Sequence, residues 1–175
     1  MANLEYLQYE AEGQIIDRKR ANLEPMKIAE HISAFSNAEG GILVIGIEDD
    51  GEITGFKYPK SKAIEKYIEA PLDFLSRLPK YTIERVPVQN SKGEDDEILV
   101  FTIEPNYESI IALKDETVFL RVNDKSKKLV HSQITQLEFD RGSRNFEEEL
   151  VEYSSIEDVN DAVVDEFRQL LGTTV

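Results

Sequence analysis

Three short charged segments hold the residues whose types and spacing could do chemistry. They are Glu12–Arg20, Glu48–Asp50 and Arg121–Lys128. Grouped carboxylates can bind divalent cations, whereas lysine and arginine side chains contact phosphate groups. The segments therefore suggest two kinds of site, a metal site and a phosphate-binding surface.

The first segment mixes both signs of charge. If residues 14–19 form a strand, Asp17 and Lys19 lie on one face and Arg18 and Arg20 on the other, because successive side chains alternate. Taken alone, Asp17 and Lys19 are better interpreted as an ordinary surface salt bridge.

The other two segments each have a structural alternative. Glu48–Asp50 runs into Gly51, and an Asp-Gly pair is a strong two-residue hairpin turn. The basic cluster Arg121–Lys128 could be a solvated loop. His31 lies at the edge of an apolar helical stripe, where a half-buried structural histidine is the more ordinary interpretation than a ligand.

Two familiar motifs are excluded by their surroundings. Gly41 and Gly46 have the spacing of a phosphate-binding loop, but Ile47 follows where that loop requires lysine. A calcium loop with Gly51 at its sixth position would take ligands from Gly46 and Lys57, which cannot supply them.

The composition fits one compact domain with an extension. The chain has 175 residues, 41% of them hydrophobic, and no cysteine, which excludes disulfides and cysteine nucleophiles. Its 20 basic and 35 acidic residues give a net charge of −15, which repels polyphosphates overall. Residues 131–175 hold 11 of the acidic residues and 3 of the basic ones. Signal-peptide and membrane-spanning patterns are absent, so we expect a cytoplasmic protein with no membrane partner.

The elements that position the charged segments alternate between helix and strand. Helical spacing of apolar residues predicts helices, and short apolar runs predict strands. In chain order these are helix 25–38, strand 42–47, helix 61–78 interrupted at Pro71, strands 81–88 and 97–104, a hairpin of 109–113 with 117–122, and a short helix 132–139. This order predicts an α+β fold, with a mixed, mostly antiparallel sheet packed by two main helices.

The C-terminal part has a different composition. We place a boundary near Arg141–Ser143, between a domain at residues 1–140 and an acidic extension at 141–175 with one helix. The apolar stripe of residues 156–170 needs a partner surface. That surface is the domain itself, a second copy, or a domain beyond this chain. We expect a homodimer and the N-terminal part of a longer protein.

One stretch resembles a known family. It runs Ile32-Ser-Ala-Phe-Ser-Asn-Ala-Glu-Gly-Gly-Ile-Leu-Val-Ile-Gly-Ile-Glu-Asp-Asp-Gly51, which is similar to the core signature of the Schlafen-type Alba-like domain, also called divergent AAA. Upstream, Glu12–Lys19 has the outer spacing of the family's Glu-Ser-x-x-(apolar)-Glu-(aromatic)-Lys pattern. Its departures are Gly13, Asp17 and Arg18. Val118–Val122 resembles the family's Tyr-x-Arg-Val-Gly strand, with Asn123 in place of the glycine.

The resemblance implies a DNA-binding domain of a bacterial transcriptional regulator. Under this hypothesis DNA or RNA is the partner, and basic side chains contact its phosphates. These side chains are Arg18, Lys19, Arg20, Arg121, Lys125, Lys127 and Lys128. The main alternative is a protein-interaction or oligomerisation domain.

A second alternative is a metal-dependent nuclease. Some animal Schlafen relatives cut structured RNA with three carboxylates, which correspond here to Glu12, Asp17 and Asp49, with Asp50 as an alternative third member. Converging carboxylates can hold magnesium or manganese, which activates water. Asp17 is one methylene shorter than the family's glutamate, so we expect a binding domain rather than an enzyme, with no firmly assigned cofactor.

Overall fold

The computed structural model describes residues 3–153, with side chains described for residues 3–142. The chain divides into two units, Met1–Glu138 and Phe139–Val175. The boundary predicted at residues 141–143 remains a prediction, and the helix predicted over 155–170 lies outside the described residues.

Four helices and six strands are present in the described part of the chain. In order they are α1 (Leu4–Tyr9), β1 (Ile16–Lys19), α2 (Pro25–Ser36), β2 (Gly41–Ile45), α3 (Ile64–Phe74), β3 (Tyr81–Gln89), β4 (Asp95–Ile103), β5 (Phe119–Val122), β6 (Lys125–Lys128) and α4 (His131–Tyr153). The α+β class predicted from the sequence is confirmed.

The main sheet has the strand order β1-β2-β4-β3. β1 pairs with β2 in parallel, whereas β2–β4 and β3–β4 are antiparallel, so the sheet is mixed and mostly antiparallel as predicted. β2 is a central strand that follows α2 after a four-residue turn, residues 37–40. Gly40 in this turn has φ +75°, and a Cβ there would lie 2.5 Å from the carbonyl oxygen of Ile103.

Helices cover both faces of this sheet. On one face Ile32 and Phe35 of α2 belong to a buried cluster with Leu43 and Phe101 of the sheet and with residues of α3. On the other face Leu7 of α1 packs in a smaller cluster with strand residues of β2 and β4. The edge strand β1 alternates between the two faces. As predicted, Asp17 and Arg18 have different surroundings, since Asp17 lies beside His31 of α2 and Arg18 bonds to Leu7 of α1.

The helix α3 is shorter than predicted. It spans Ile64–Phe74 rather than residues 61–78, and Pro71 lies in its last turn. Proline has no N–H and crowds the preceding turn, which disfavours continuation. Leu75, the first residue after the helix, instead forms an isolated bridge with Leu113.

The predicted hairpin of 109–113 with 117–122 is reduced to one isolated bridge, between Ala112 and Val118. Two polar side chains explain the difference, Ser33 in α2 and Asn37 directly after it. Ser33 Oγ donates to Ile111 O at 2.7 Å, and Asn37 Nδ2 donates to both Ile111 O and Phe119 O, at 2.8 and 3.0 Å. These side chains take hydrogen bonds that a partner strand would otherwise make.

β5 pairs with β6 instead, in a separate two-stranded sheet that we call the lysine hairpin (residues 119–128). Its register places Val122 opposite Lys125 and Phe119 opposite Lys128. The turn at Asp50-Gly51 is present but closes only an isolated bridge, between Ile47 and Ile53.

The last helix is longer than predicted. α4 spans His131–Tyr153, whereas the sequence predicted only residues 132–139. A single glycine within a helix costs about 1 kcal/mol, so Gly142 does not end it.

Candidate functional site

Backbone groups on the outer side of β1 are bonded within the chain. Arg18 N–H donates to Glu12 Oε1 at 2.8 Å. Gly13 N–H donates to Ile16 O at 3.1 Å, and Lys19 Nζ donates to Arg18 O at 2.8 Å. Glu12, a predicted metal ligand, is therefore engaged by the backbone of the neighbouring strand.

Asp17 is the centre of a buried charge network. Its side chain is 1% exposed, and Arg121 Nη1 lies 2.6 Å from Oδ2. Lys19 Nζ lies 2.5 Å from Oδ1, and His31 Nδ1 lies 3.3 Å from Oδ2. Burial opposes ionisation, but the charges of His31, Lys19 and Arg121 outweigh it and hold the pKa of Asp17 below its ordinary value. Asp17 is thus a buried carboxylate with three side-chain partners, of which Arg121 is fully buried.

Arg121 is used entirely inside the fold. Its side chain is 0% exposed, and Nε and Nη2 donate to Gly13 O at 3.0 and 2.8 Å. Its guanidinium carbon lies 4.7 Å from the centre of the Phe35 ring, within cation–π range. Arg121 therefore joins β5 to the segment before β1 and to α2.

His31 belongs to the same network. Its Nδ1 lies 2.9 Å from Ser126 Oγ. Burial lowers the pKa of His31 to about 4, although the charge of Asp17 raises it, so the imidazole is neutral near pH 7. Ser126 and Asp17 both approach Nδ1, whereas a catalytic Ser-His-Asp relay needs them on opposite ring nitrogens. Ser126, His31 and Asp17 therefore have a structural role in this arrangement.

The predicted carboxylate trio does not fit a divalent cation. Burial raises the pKa of Glu12, opposed by its bond from Arg18 N–H, and the charges of Asp17 and Asp49 raise it further. The three carboxyl groups therefore interact electrostatically, but Lys19 and Arg121 already neutralise the charge of Asp17. In residues 3–142 no group of three or more histidine, aspartate or glutamate side chains could hold a metal ion.

Asp49 and Asp50 are exposed in the turn after β2. Close by, Arg20 forms an ion pair with Glu48. Together these side chains line a cavity of about 270 Å³ with Asn22, Glu52, Thr54, Tyr58 and Ser61. Four carboxylates surround this cavity, so Arg20 lies in an acidic environment that disfavours phosphate.

Two of the predicted phosphate contacts lie inside the fold. Arg18 is 3% exposed, with Nη1 donating to Leu7 O at 3.1 Å and Nη2 to Glu10 O at 2.7 Å. Arg121 is buried beside Asp17 as described above. Neither guanidinium can meet an external polyanion without leaving these partners, and both are removed from the candidate surface.

Three of the predicted phosphate contacts lie on β6. Lys125, Lys127 and Lys128 are all exposed, and none of them takes part in the ion pairs seen among residues 3–142. Lys19, by contrast, is only 26% exposed and donates to Asp17 and Arg18. Of the seven predicted contacts, two are therefore buried and two are paired within the chain. The three lysines of β6 are exposed and lie outside the described ion pairs.

Several residues that position this surface have no role in the sequence-based prediction. Gln14 bonds to the backbone of β5 and its turn, and Ser126 links β6 to His31. Ser33 and Asn37 are four residues apart on the buried side of α2, and polar residues in an apolar stripe are a signal that the sequence does contain. No sequence pattern indicated Gln14.

The family model for Schlafen, AlbA_2 matches residues 12–130, which is more than half of the chain. The chain belongs to the Schlafen AlbA_2 family. The matched AlbA_2 region includes all six strands, from β1 to the lysine hairpin.

A solved structure shares the fold. The DIP2311 protein from Corynebacterium diphtheriae superposes with a TM-score of 0.50 at 17% identity, covering 71% of this chain and 24% of that protein. The chain thus spans about a quarter of that protein's length. No match was found among curated proteins. Among the described residues of the AlbA_2 chain, none of the helices has both the length and the hydrophobicity that spanning a bilayer requires.

Proposed function

We propose that the AlbA_2 domain binds the phosphate backbone of DNA through the lysine hairpin. The observation that carries the proposal is the group of three exposed lysines, Lys125, Lys127 and Lys128, within four residues of β6 and outside the described ion pairs. Membership of the Schlafen AlbA_2 family supports a nucleic-acid-related role. Phosphate contacts of this kind position a protein but read no base sequence.

Electrostatics make the expected binding weak and strongly dependent on salt. The net charge of −15 repels a polyanion, so the hairpin must act locally. Each neutralised phosphate of duplex DNA contributes about −0.9 to the slope of log K against log salt. Three lysine contacts therefore predict a slope that is about 3 less negative when they are removed.

The direct test is a fluorescence anisotropy titration of labelled duplex DNA at several low salt concentrations. The variant Lys125→Ala/Lys127→Ala/Lys128→Ala should bind more weakly and lose most of the salt dependence, with an unchanged melting temperature. The matched control Lys66→Ala/Lys80→Ala/Lys92→Ala removes the same charge from exposed lysines elsewhere. Equal losses in both variants, or no binding by the unmodified protein, would reject the hairpin as the DNA-binding surface.

The sequence resemblance supports a finer proposal, that this domain serves a bacterial transcriptional regulator. The apolar stripe in the sequence of residues 156–170, which needs a partner surface, supports a homodimer. A parallel titration with structured RNA of equal length separates DNA from RNA as the preferred partner. Light scattering on the full chain tests the dimer, and a monomer at micromolar concentration contradicts it.

A further inference from the structure

The lysine hairpin is held to the rest of the domain by side chains. It forms its own two-stranded sheet, and no backbone–backbone hydrogen bond joins residues 119–128 to the main sheet in the described residues. Phe119 N–H donates to Ser33 Oγ at 3.2 Å, and Phe119 O accepts from Asn37 Nδ2 at 3.0 Å. These two contacts fix the start of β5 to α2.

The far end of β5 is fixed by a different residue. Gln14 Nε2 donates to Arg121 O at 3.1 Å, and Asn123 N–H donates to Gln14 Oε1 at 2.8 Å. One amide thus satisfies a carbonyl of β5 and an N–H of the following turn, as a residue of a partner strand would. Asn123 has φ +56°, a conformation that most residues adopt only at a cost.

We infer that Gln14 is a positioning residue that holds the turn and β6 of the lysine hairpin in the orientation that presents Lys125 and Lys127 to nucleic acid. This inference rests on the proposed function. The position of Gln14 supports it, because Gln14 lies two residues before β1 and its amide spans to the turn that begins β6.

Gln14 is also the contact that can be removed most cleanly. Arg121 and Asp17 form a buried ion pair, and removing either side chain would strongly destabilise the fold. Gln14, by contrast, is only half-buried and uncharged. Methionine has a similar length and no hydrogen-bonding amide, so Gln14→Met removes both bonds and keeps the packing volume. Gln89→Met, at an exposed position at the end of β3, is the matched control.

The experiment combines two readouts on the full chain. Amide hydrogen exchange should become faster in residues 121–128 of Gln14→Met and stay unchanged in β2 and β4. Affinity for labelled duplex DNA at low salt should fall about 5-fold, which is the lower end of the effect of two lost hydrogen bonds. Gln89→Met should match the unmodified protein in both measurements.

A double-mutant cycle separates positioning from a general structural effect. If Gln14 acts through the lysines, Gln14→Met weakens binding much less in a Lys125→Ala/Lys127→Ala background than in the unmodified protein. An equal loss in both backgrounds, or unchanged exchange in residues 121–128, overturns the inference. If the unmodified protein binds no nucleic acid, the proposed function fails, while the exchange measurement still reports whether Gln14 holds the hairpin.

Discussion

The charged residues of β1 and those of β6 have opposite environments. In β1, Asp17 and Arg18 are buried, and Lys19 is mostly covered and bonded to both. In β6 the three lysines are exposed and lie outside the described ion pairs. Both segments look alike as runs of charge, so the difference arises from where their partners lie. A charged residue can contact an external ligand only when the fold leaves it exposed.

The contrast predicts that charge removal has its largest effect on stability in β1. Replacing Asp17 with alanine leaves Arg121 buried and uncompensated, which costs about 3–5 kcal/mol. Asp17→Asn keeps an acceptor for Arg121 and should lose less. Lys127→Ala, the comparison in β6, should change stability by less than about 0.5 kcal/mol.

Urea denaturation followed by circular dichroism measures all three variants. Similar losses for Asp17→Ala and Lys127→Ala would mean that the two regions do not differ as described.

The second expected effect concerns pH. Burial lowers the pKa of His31 to about 4 from an ordinary value of 6.5, so the unfolded chain binds a proton that the folded protein does not. The facing groups are Asp17, which opposes this shift, and Lys19, Arg121 and Lys27, which add to it. Stability should therefore fall by up to about 3 kcal/mol as the pH falls from 6.5 to 4.

Asp17 affects the stability of the fold at lower pH than His31. Its lowered pKa contributes stability that is present above its ordinary pKa of 3.8 and is lost as the pH falls further. His31→Gln should abolish the loss between pH 6.5 and 5, where most carboxyl groups remain ionised. Stability curves at a series of pH values decide this, and an unchanged slope in His31→Gln contradicts a buried neutral His31.

The sequence predicted the fold better than the site, for physical reasons. Hydrophobic periodicity and the Gly40 stop located α2 and the central strand β2, because burial and backbone conformation are local signals. The hairpin predicted over 109–122 was mostly wrong, because the hydrogen bonds of its strands go to Ser33 and Asn37, which lie more than 70 residues away in sequence.

Contacts between residues that are distant in sequence also determine the site, and to a greater extent. Strand alternation correctly placed Asp17 and Arg18 on opposite faces of β1. Alternation could not show that both faces of β1 are covered. Arg121, which is 104 residues away in the sequence, covers Asp17 on one face, and α1 covers Arg18 on the other. Burial of a charge depends on partners that are distant in the chain, and no spacing rule encodes them.

The smallest predicted effect concerns Glu12, which separates a structural from a metal-binding interpretation of the β1 edge. Its carboxylate accepts the N–H of Arg18, and Oε1 also lies 3.8 Å from Arg18 Nε, a buried nitrogen with no hydrogen-bond partner. Glu12→Ala should therefore cost about 1.5–3 kcal/mol, whereas Glu12→Gln retains an acceptor oxygen and should lose less. A divalent cation held by Glu12 would bind more weakly to that amide, since the amide lacks the carboxylate charge. Thermal melts of both variants, each with and without millimolar manganese, make the comparison. A manganese-dependent rise in melting temperature that Glu12→Gln abolishes would contradict the structural interpretation and return Glu12 to the metal-binding hypothesis.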